Sequence, residues 1–262
     1  MDLGLHGKVA IVTGSSDGIG YHVAHSLARE GARVVMCARR EAKLLEARDR
    51  IVHESGAEVL ALQCDVRRLD DVQRLVGETV RRFGAIQILV NNAGSVPAIK
   101  FTDISDAQWY DNLERKLFGF LRVAREVVPH MQKAGWGRII NVAGTASWEP
   151  SNTAMAVGIN NAAVMNWTKS MSLQYASDDI LVNTVAPGSI GTPRQVGNRQ
   201  REAEVTGKSV EELRQARVKD IPLRRLGRPE EVANLIVFLA SECSSFMTGT
   251  CVTIDGGVVR GI

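Results

Sequence analysis

The alternation of two kinds of apolar run along the chain constrains its fold more than any other feature. Short β-branched runs at Lys8–Thr13, Arg33–Cys37, Val59–Gln63, Ile86–Val90, Arg138–Val142, Leu181–Val185 and Cys251–Ile254 predict about seven strands. Between them lie segments of helical spacing: Gly18–Glu30, where Ile19, Val23 and Leu27 share a face, then Arg40–Glu54, Asp70–Phe83, Asp106–Lys133, Asn152–Ala176 and Pro229–Ala240. The stretch from Ser189 to about Gly227 is polar and reads as a connection. Strands that alternate with helices of ten or more residues demand right-handed crossovers. The result is a doubly wound α/β architecture, a parallel sheet covered on both faces. No Pro/Gly/Ser-rich linker or internal repeat divides the 262 residues, so one domain over 1–262 is expected.

Composition narrows the class. With 45% hydrophobic and 23% charged residues, the chain can bury a core and is not disordered. No run of about 18 apolar residues predicts a membrane span. Met1–Gly7 lacks a basic segment leading into an apolar one, so no secretory leader is expected. Cys37, Cys64, Cys243 and Cys251 are scattered without a C-x-x-C, which argues against a metal or disulfide framework. They read as small buried hydrophobes of a reducing, cytoplasmic location.

The turn after the first strand carries chemistry. Thr13-Gly-Ser-Ser-Asp-Gly-Ile-Gly20 places Gly14, Gly18 and Gly20 between a strand and a helix. Glycines there let backbone approach a pyrophosphate that rests on the amides and dipole of the helix N-terminus. The spacing is G-x-x-x-G-x-G. Its place inside a βαβ unit makes dinucleotide binding, in a Rossmann-like sheet, the better reading than a purely structural turn. The second strand ends Cys37-Ala38-Arg39-Arg40 with no carboxylate for a ribose 2′-hydroxyl. Arg39 is the candidate to hold a 2′-phosphate instead, which favours NADP(H) over NAD(H). Asp17 argues the other way, because a carboxylate repels a phosphate, and an exposed helix-start arginine is the plain alternative for Arg39.

Taken together, Thr13-Gly-x-x-x-Gly-Ile-Gly20, Asp65 after the third strand and Asn91-Asn-Ala-Gly94 after the fourth resemble the short-chain dehydrogenase/reductase family. Pro187-Gly-Ser-Ile-Gly-Thr192 and the ending Thr253-Ile-Asp-Gly-Gly257 resemble it as well, over nearly the whole chain. The resemblance implies a cofactor site made of Gly14, Ser16, Asp17, Gly18, Ile19, Gly20, Arg39, Asp65, Val66, Asn91, Ala93, Gly94, Pro187, Gly188, Ile190 and Thr192. In it Asp65 would contact the adenine, Asn91–Gly94 would line the adenosine, and Ile190 and Thr192 would meet the carboxamide. It also implies a small-molecule substrate and a homotetramer.

The family's chemistry needs a tyrosine whose pKa is lowered by a lysine four residues on, a serine to polarise the carbonyl and an asparagine on the preceding long helix. Located by their neighbours, those positions hold Lys116 for asparagine, Gly144 for serine, Val157 for tyrosine and Asn161 for lysine. A slipped alignment does not restore the motif. The three tyrosines, Tyr21, Tyr110 and Tyr175, are followed four residues on by His25, Glu114 and Asp179. No lysine lies between Lys133 and Lys169. Ordinary tyrosine-driven carbonyl reduction is therefore not expected.

Lys116 is the candidate replacement. Burial would lower its pKa toward a useful range, or its ammonium would bind an anion. The alternative is a lysine that snorkels to solvent or pairs with Glu114 or Asp111. Thr145 and Ser147 offer hydroxyls near the serine position, although such hydroxyls usually satisfy local backbone. Asn160 and Asn161 retain hydrogen-bonding capacity toward a ribose, and Met155, Met165, Trp167 and Met171 read as packing residues on their helix.

Charge is unevenly spread. From Arg194 to Arg228 ten Lys/Arg and five Asp/Glu give +5, against a formal net charge of +3 for the whole chain and hence −2 for the rest. By family resemblance the segment at about 189–227 covers the substrate. A basic lid suits an anionic one, whereas a helix laced with ion pairs at Glu211, Glu212 and Arg214 is the plain alternative. Interrupting acids and a lack of aromatic partners argue against nucleic acid. Two readings follow: an oxidoreductase-family enzyme with non-standard catalytic residues, redox or lyase-like, or a catalytically inactive cofactor sensor or structural partner of an active relative.

Overall fold

The computed structural model describes residues 1–94, 101–150 and 155–261. Its seven strands are β1 (Val9–Thr13), β2 (Arg33–Ala38), β3 (Val59–Gln63), β4 (Ile88–Asn91), β5 (Gly137–Val142), β6 (Ile180–Pro187) and β7 (Cys251–Ile254). They form one sheet in the order β3-β2-β1-β4-β5-β6-β7, and every pairing is parallel. Five of the strands are buried or largely buried, as strands covered on both faces must be, whereas the edge strands β3 and β7 are half-buried.

The helices α1 (Gly18–Arg29), α2 (Glu41–Ser55) and α3 (Leu69–Phe83) return the chain between the first four strands. Beyond β4 come α4 (Asp106–Leu113), α5 (Gly119–Ala134) and α6 (Met155–Tyr175), and beyond β6 come α7 (Pro193–Thr206), α8 (Val210–Lys219) and α9 (Pro229–Leu239). One core layer joins Val23 and Leu27 of α1, Leu44 and Ile51 of α2 and Ile236 of α9 to one face of the sheet. The opposite layer joins Leu75 of α3 and Val123 and Val127 of α5 to the other face. Burying apolar side chains in both layers, at about 25 cal/mol per Å², is the main force holding the helices to the sheet.

Three expectations need correction. The long helix expected over Asp106–Lys133 is interrupted by a π-helical turn at Glu114–Phe118. There the lack of a Cβ on Gly119 lets the chain approach Val66, whose Cγ2 would lie 2.7 Å from any added Cβ. The polar connection at 189–227 holds two helices, α7 and α8, each begun by a hydroxyl N-cap, Thr192 and Ser209. Their weak apolar periodicity hid them. Finally, Cys37 and Cys64 are buried, but Cys251 is only partly covered and Cys243 is exposed, its Sγ donating to the Asp2 carbonyl at 3.2 Å. The first three residues of the helix expected at Asn152–Ala176 lie outside the described residues; from Met155 onward it is helical. Trp167 and Met171 pack against the second core layer, whereas Met155 is exposed. No helix among the described residues is long and apolar enough to cross a membrane.

Candidate functional site

The strand order reverses between β1 and β4, and at the carboxyl ends of those strands opens a cleft of about 810 Å³. Such a switch point is where a doubly wound sheet leaves room for a ligand. The turn after β1 forms its floor. Gly14 holds φ +65°, and a Cβ there would lie 2.9 Å from Ala93 Cα, so the residue must be glycine on two counts. Thr13 Oγ1 accepts from the amides of Asn92 and Ala93 at 3.0 Å each, while Asn92 Nδ2 donates to the carbonyls of Thr13 and Gly14 at 3.1 Å. These bonds clamp the β4 end to the glycine turn. Asp17 caps α1 by accepting from Gly18 N at 2.7 Å, and Lys43 of α2 pairs with the same carboxylate. That pairing offsets the repulsion expected of Asp17 toward a phosphate.

Of the expected cofactor residues, Gly14, Ser16, Asp17, Gly18, Ile19, Arg39, Asp65, Val66, Ala93, Gly94 and Thr192 line this cleft. Five do not. Gly20 lies beneath it, where its bare Cα lets α1 approach the Gly14 carbonyl. Asn91 is fully buried and donates through Nδ2 to Asn141 Oδ1 at 3.0 Å, in a chain that continues to Thr168 and Thr184. Pro187 ends β6, and Gly188 is packed against Asp255. Ile190 is buried beside a separate cavity of about 110 Å³ and bridges to Gly227.

The cleft wall also gathers cations that no motif named: Arg40, Lys43, Arg67, Arg115 and Arg194. Arg67 grips the Asp65 carboxylate at 2.6 Å and reaches Asp111 at 3.1 Å. Burial alone would raise the Asp65 pKa, but the hydrogen bonds and charge of Arg67 outweigh it and leave the carboxyl lowered. The only sequence signal for these residues was their nearness to the motifs in the chain.

The positions that depart from the family pattern do not line this cleft; Lys116 packs behind Gly94 of its wall. Lys116 sits in the π turn, only 8% exposed. Its Nζ donates to the Ala143 carbonyl at 3.3 Å and lies 5.8 Å from the Phe120 ring centre. It neither snorkels nor pairs with the expected carboxylates: Asp111 is bound to Arg67 and Arg115, and Glu114 to Arg122. Burial, with a smaller contribution from the charge of Arg194, pushes the Lys116 pKa down to about 7. Beyond Ala143, Gly144 faces Asn161, whose Nδ2 lies 3.5 Å from the Gly144 carbonyl. Asn161 Oδ1 is buried and accepts no hydrogen bond among the described residues. Lys116, Gly144 and Asn161 therefore converge, and the half-buried Val157 lies one helical turn before Asn161 on α6. Ser147 Oγ bonds the Gly144 carbonyl at 2.7 Å and so satisfies local backbone, as expected, and Asn160 Nδ2 bonds the Ala156 carbonyl at 2.8 Å.

The Asn161 amide occupies the room a serine at 144 would need, since a Cβ on Gly144 would lie 3.0 Å from Asn161 Nδ2. Gly144→Ser is accordingly expected to lose about 1 kcal/mol, the low end of overpacking, because the Asn161 amide must give way. Asn161→Ala in the same chain should recover most of that loss in a thermal melt, because the two sites couple. Additive losses would show that the contact does not matter.

Comparison with known proteins places this chain in a family. A family model described as enoyl-(acyl carrier protein) reductase matches residues 14–259. A putative ketoacyl reductase of Streptomyces coelicolor is 32% identical over 253 residues, spanning 96% of this chain and 97% of that protein. The 3-oxoacyl-[acyl-carrier-protein] reductase FabG of Aquifex aeolicus is 31% identical over 258 residues, 98% and 100% of the two chains. The L-sorbose reductase of Gluconobacter frateurii, solved with NADPH and L-sorbose, superposes with a TM-score of 0.96 at 33% identity, covering both chains fully. A parallel doubly wound sheet with a glycine-turn cleft at its switch point defines a dinucleotide-binding α/β protein. This chain belongs to the short-chain dehydrogenase/reductase family, whose members are NAD(P)-dependent oxidoreductases.

Proposed function

We propose that the protein is a single-domain NADP(H)-dependent oxidoreductase that acts on a small carbonyl or alcohol substrate without a catalytic tyrosine, using Lys116 as its proton carrier. The observation that carries this reading is a nearly buried ammonium with no carboxylate partner among the described residues, on a side chain that packs against the cleft residue Gly94. A lysine pushed to about 7 can both give and take a proton near neutrality. Bound NADP(H) would supply or accept the hydride. Lys116 Nζ gives the carbonyl oxygen the proton it takes up on reduction, and recovers it in the reverse direction. Asn161 Oδ1 accepts from the substrate hydroxyl or from a ribose hydroxyl. Lys116, Gly144, Val157 and Asn161 thus form the altered catalytic set.

The cradle suits a dinucleotide. The Gly14–Gly18 turn brings backbone amides and the start of α1 to one wall, as a pyrophosphate requires. Arg39, Arg40 and Lys43 provide cations at the β2 end, which supports NADP(H) over NAD(H). Arg39→Ala should weaken NADPH binding by roughly tenfold or more, the loss of a charge-assisted phosphate contact, and leave NADH nearly unchanged. Fluorescence titration with both dinucleotides measures this. Binding of neither at millimolar levels would remove the reading altogether. Assembly as a homotetramer, a lid over 189–227 and an anionic substrate belong to the same reading, the last supported by the lid's excess of cations.

A further inference from the structure

Arg194 is a cation without a counter-ion. It is the second residue of α7, lines the cleft, and forms no ion pair among the described residues, although Arg67 and Arg115 of the same wall both do. Its Nη1 lies 3.5 Å from the carbonyl of Gly94. Gly94 in turn touches Lys116: a Cβ there would stand 3.2 Å from Lys116 Cβ. The missing side chain, at φ +136°, lets the turn after β4 fit between the arginine and the lysine. Arg194 on the cleft wall and Lys116 behind it thus flank a single glycine. Arg194 is exposed while Lys116 is nearly buried, and a cation beside a buried lysine costs free energy that an anion between them returns.

We propose that Arg194 reads a negative charge on the substrate, seating a carboxylate or phosphate within reach of Lys116. This rests on the reading of Lys116 given above and adds the substrate class: compounds that carry a carbonyl and an anionic group a few atoms apart. It also couples recognition to chemistry. In the free protein the charge of Arg194 adds to burial in keeping Lys116 short of its proton. An anion seated on Arg194 cancels that repulsion and attracts a proton to Lys116, so the acid is loaded when the correct substrate arrives. Among the described residues, the other charged groups near the turn do not compete. Asp111 and Glu114 are tied to arginines, Arg115 and Arg122 are paired with them, and α6 contributes only the neutral Asn160 and Asn161.

The test follows Lys116 itself in the full-length protein by carbon-13 lysine NMR, assigned with Lys116→Arg. Acetoacetate serves as the carbonyl anion, methyl acetoacetate as its neutral counterpart, and inorganic phosphate as the bare anion. The expected result is a Lys116 titration near 7 in the wild type that acetoacetate or phosphate raises by about one unit or more, and methyl acetoacetate does not. Arg194→Gln should abolish the rise, and Arg194→Lys should keep it. The proposal is overturned if neither anion moves Lys116, if Arg194→Gln responds as the wild type does, or if it loses NADPH affinity and keeps the acetoacetate response, which would assign Arg194 to the cofactor pyrophosphate. A Lys116 that titrates at its ordinary value would instead bring down the reading of Lys116 as the proton carrier.

Discussion

Lys116→Ala should lower kcat/KM for carbonyl reduction by about 10²–10⁴, the usual loss for one general acid, while NADPH binds as before. The pH dependence checks the assignment. Reduction needs the ammonium form, so wild-type kcat/KM should fall as pH rises through about 7, and the oxidative direction should gain over the same interval. The alanine variant should lose this limb. Activity that survives the substitution with its pH profile intact would remove Lys116 from the mechanism. Stability gives an independent measurement. Folding lowers the Lys116 pKa from its ordinary 10.5 to about 7, so between those values the unfolded chain holds a proton the folded protein lacks. Stability should therefore be lowest below pH 7 on this account and increase from about 7 toward 10.5. Lys116→Met, which keeps the volume and removes the charge, should flatten that slope in denaturant melts at several pH values.

Gly20→Ala is the second large effect. A Cβ at this position would stand 2.4 Å from the Gly14 carbonyl oxygen and 2.5 Å from Asn92 Nδ2. The first is backbone and cannot turn aside, so α1 must move away from the turn it lies on. Overpacking of this kind costs about 1–3 kcal/mol, and for a chain of this length each kcal/mol lowers Tm by roughly 2–4 °C. The same displacement breaks the Asn92 clamp on which the Gly14 turn depends, so NADPH affinity should fall with stability. Gly77 supplies the control: it lies inside α3 with nothing within 4 Å of an added Cβ. Gly77→Ala should raise stability by about 0.5–1 kcal/mol through the unfolded chain's lost freedom and leave the cofactor unaffected. Equal effects from both substitutions would contradict the packing described for Gly20.

Much of the fold was legible because the burial of each strand on both faces imposes a run of Val, Ile and Leu, and each crossover imposes a helix. All seven strands lie within a few residues of their expected positions. The misses share a cause. Helices α7 and α8 are polar around most of their circumference, so no apolar stripe marks them, and only their hydroxyl caps do. The π turn at Glu114–Phe118 is a local departure inside an otherwise helical pattern, and it leads into Gly119, which packs against Val66, far away in sequence.

The site divides in the same way. Residue order alone determined that a glycine turn follows β1, that a dinucleotide-type cleft opens there, and that no tyrosine with a lysine four residues on exists anywhere in the chain. Those facts depend on local spacing and on residue identity, both of which a sequence states completely. Only the tertiary structure decided that Lys116 is buried without a carboxylate, that Asn161 fills the space beside Gly144, that Asn91 and Ile190 turn away from the main cleft, and that Arg194 meets Lys116 across Gly94. Each of these depends on which segments distant in the chain are brought together, and on the loss of water around them, which sets the charge a lysine can keep.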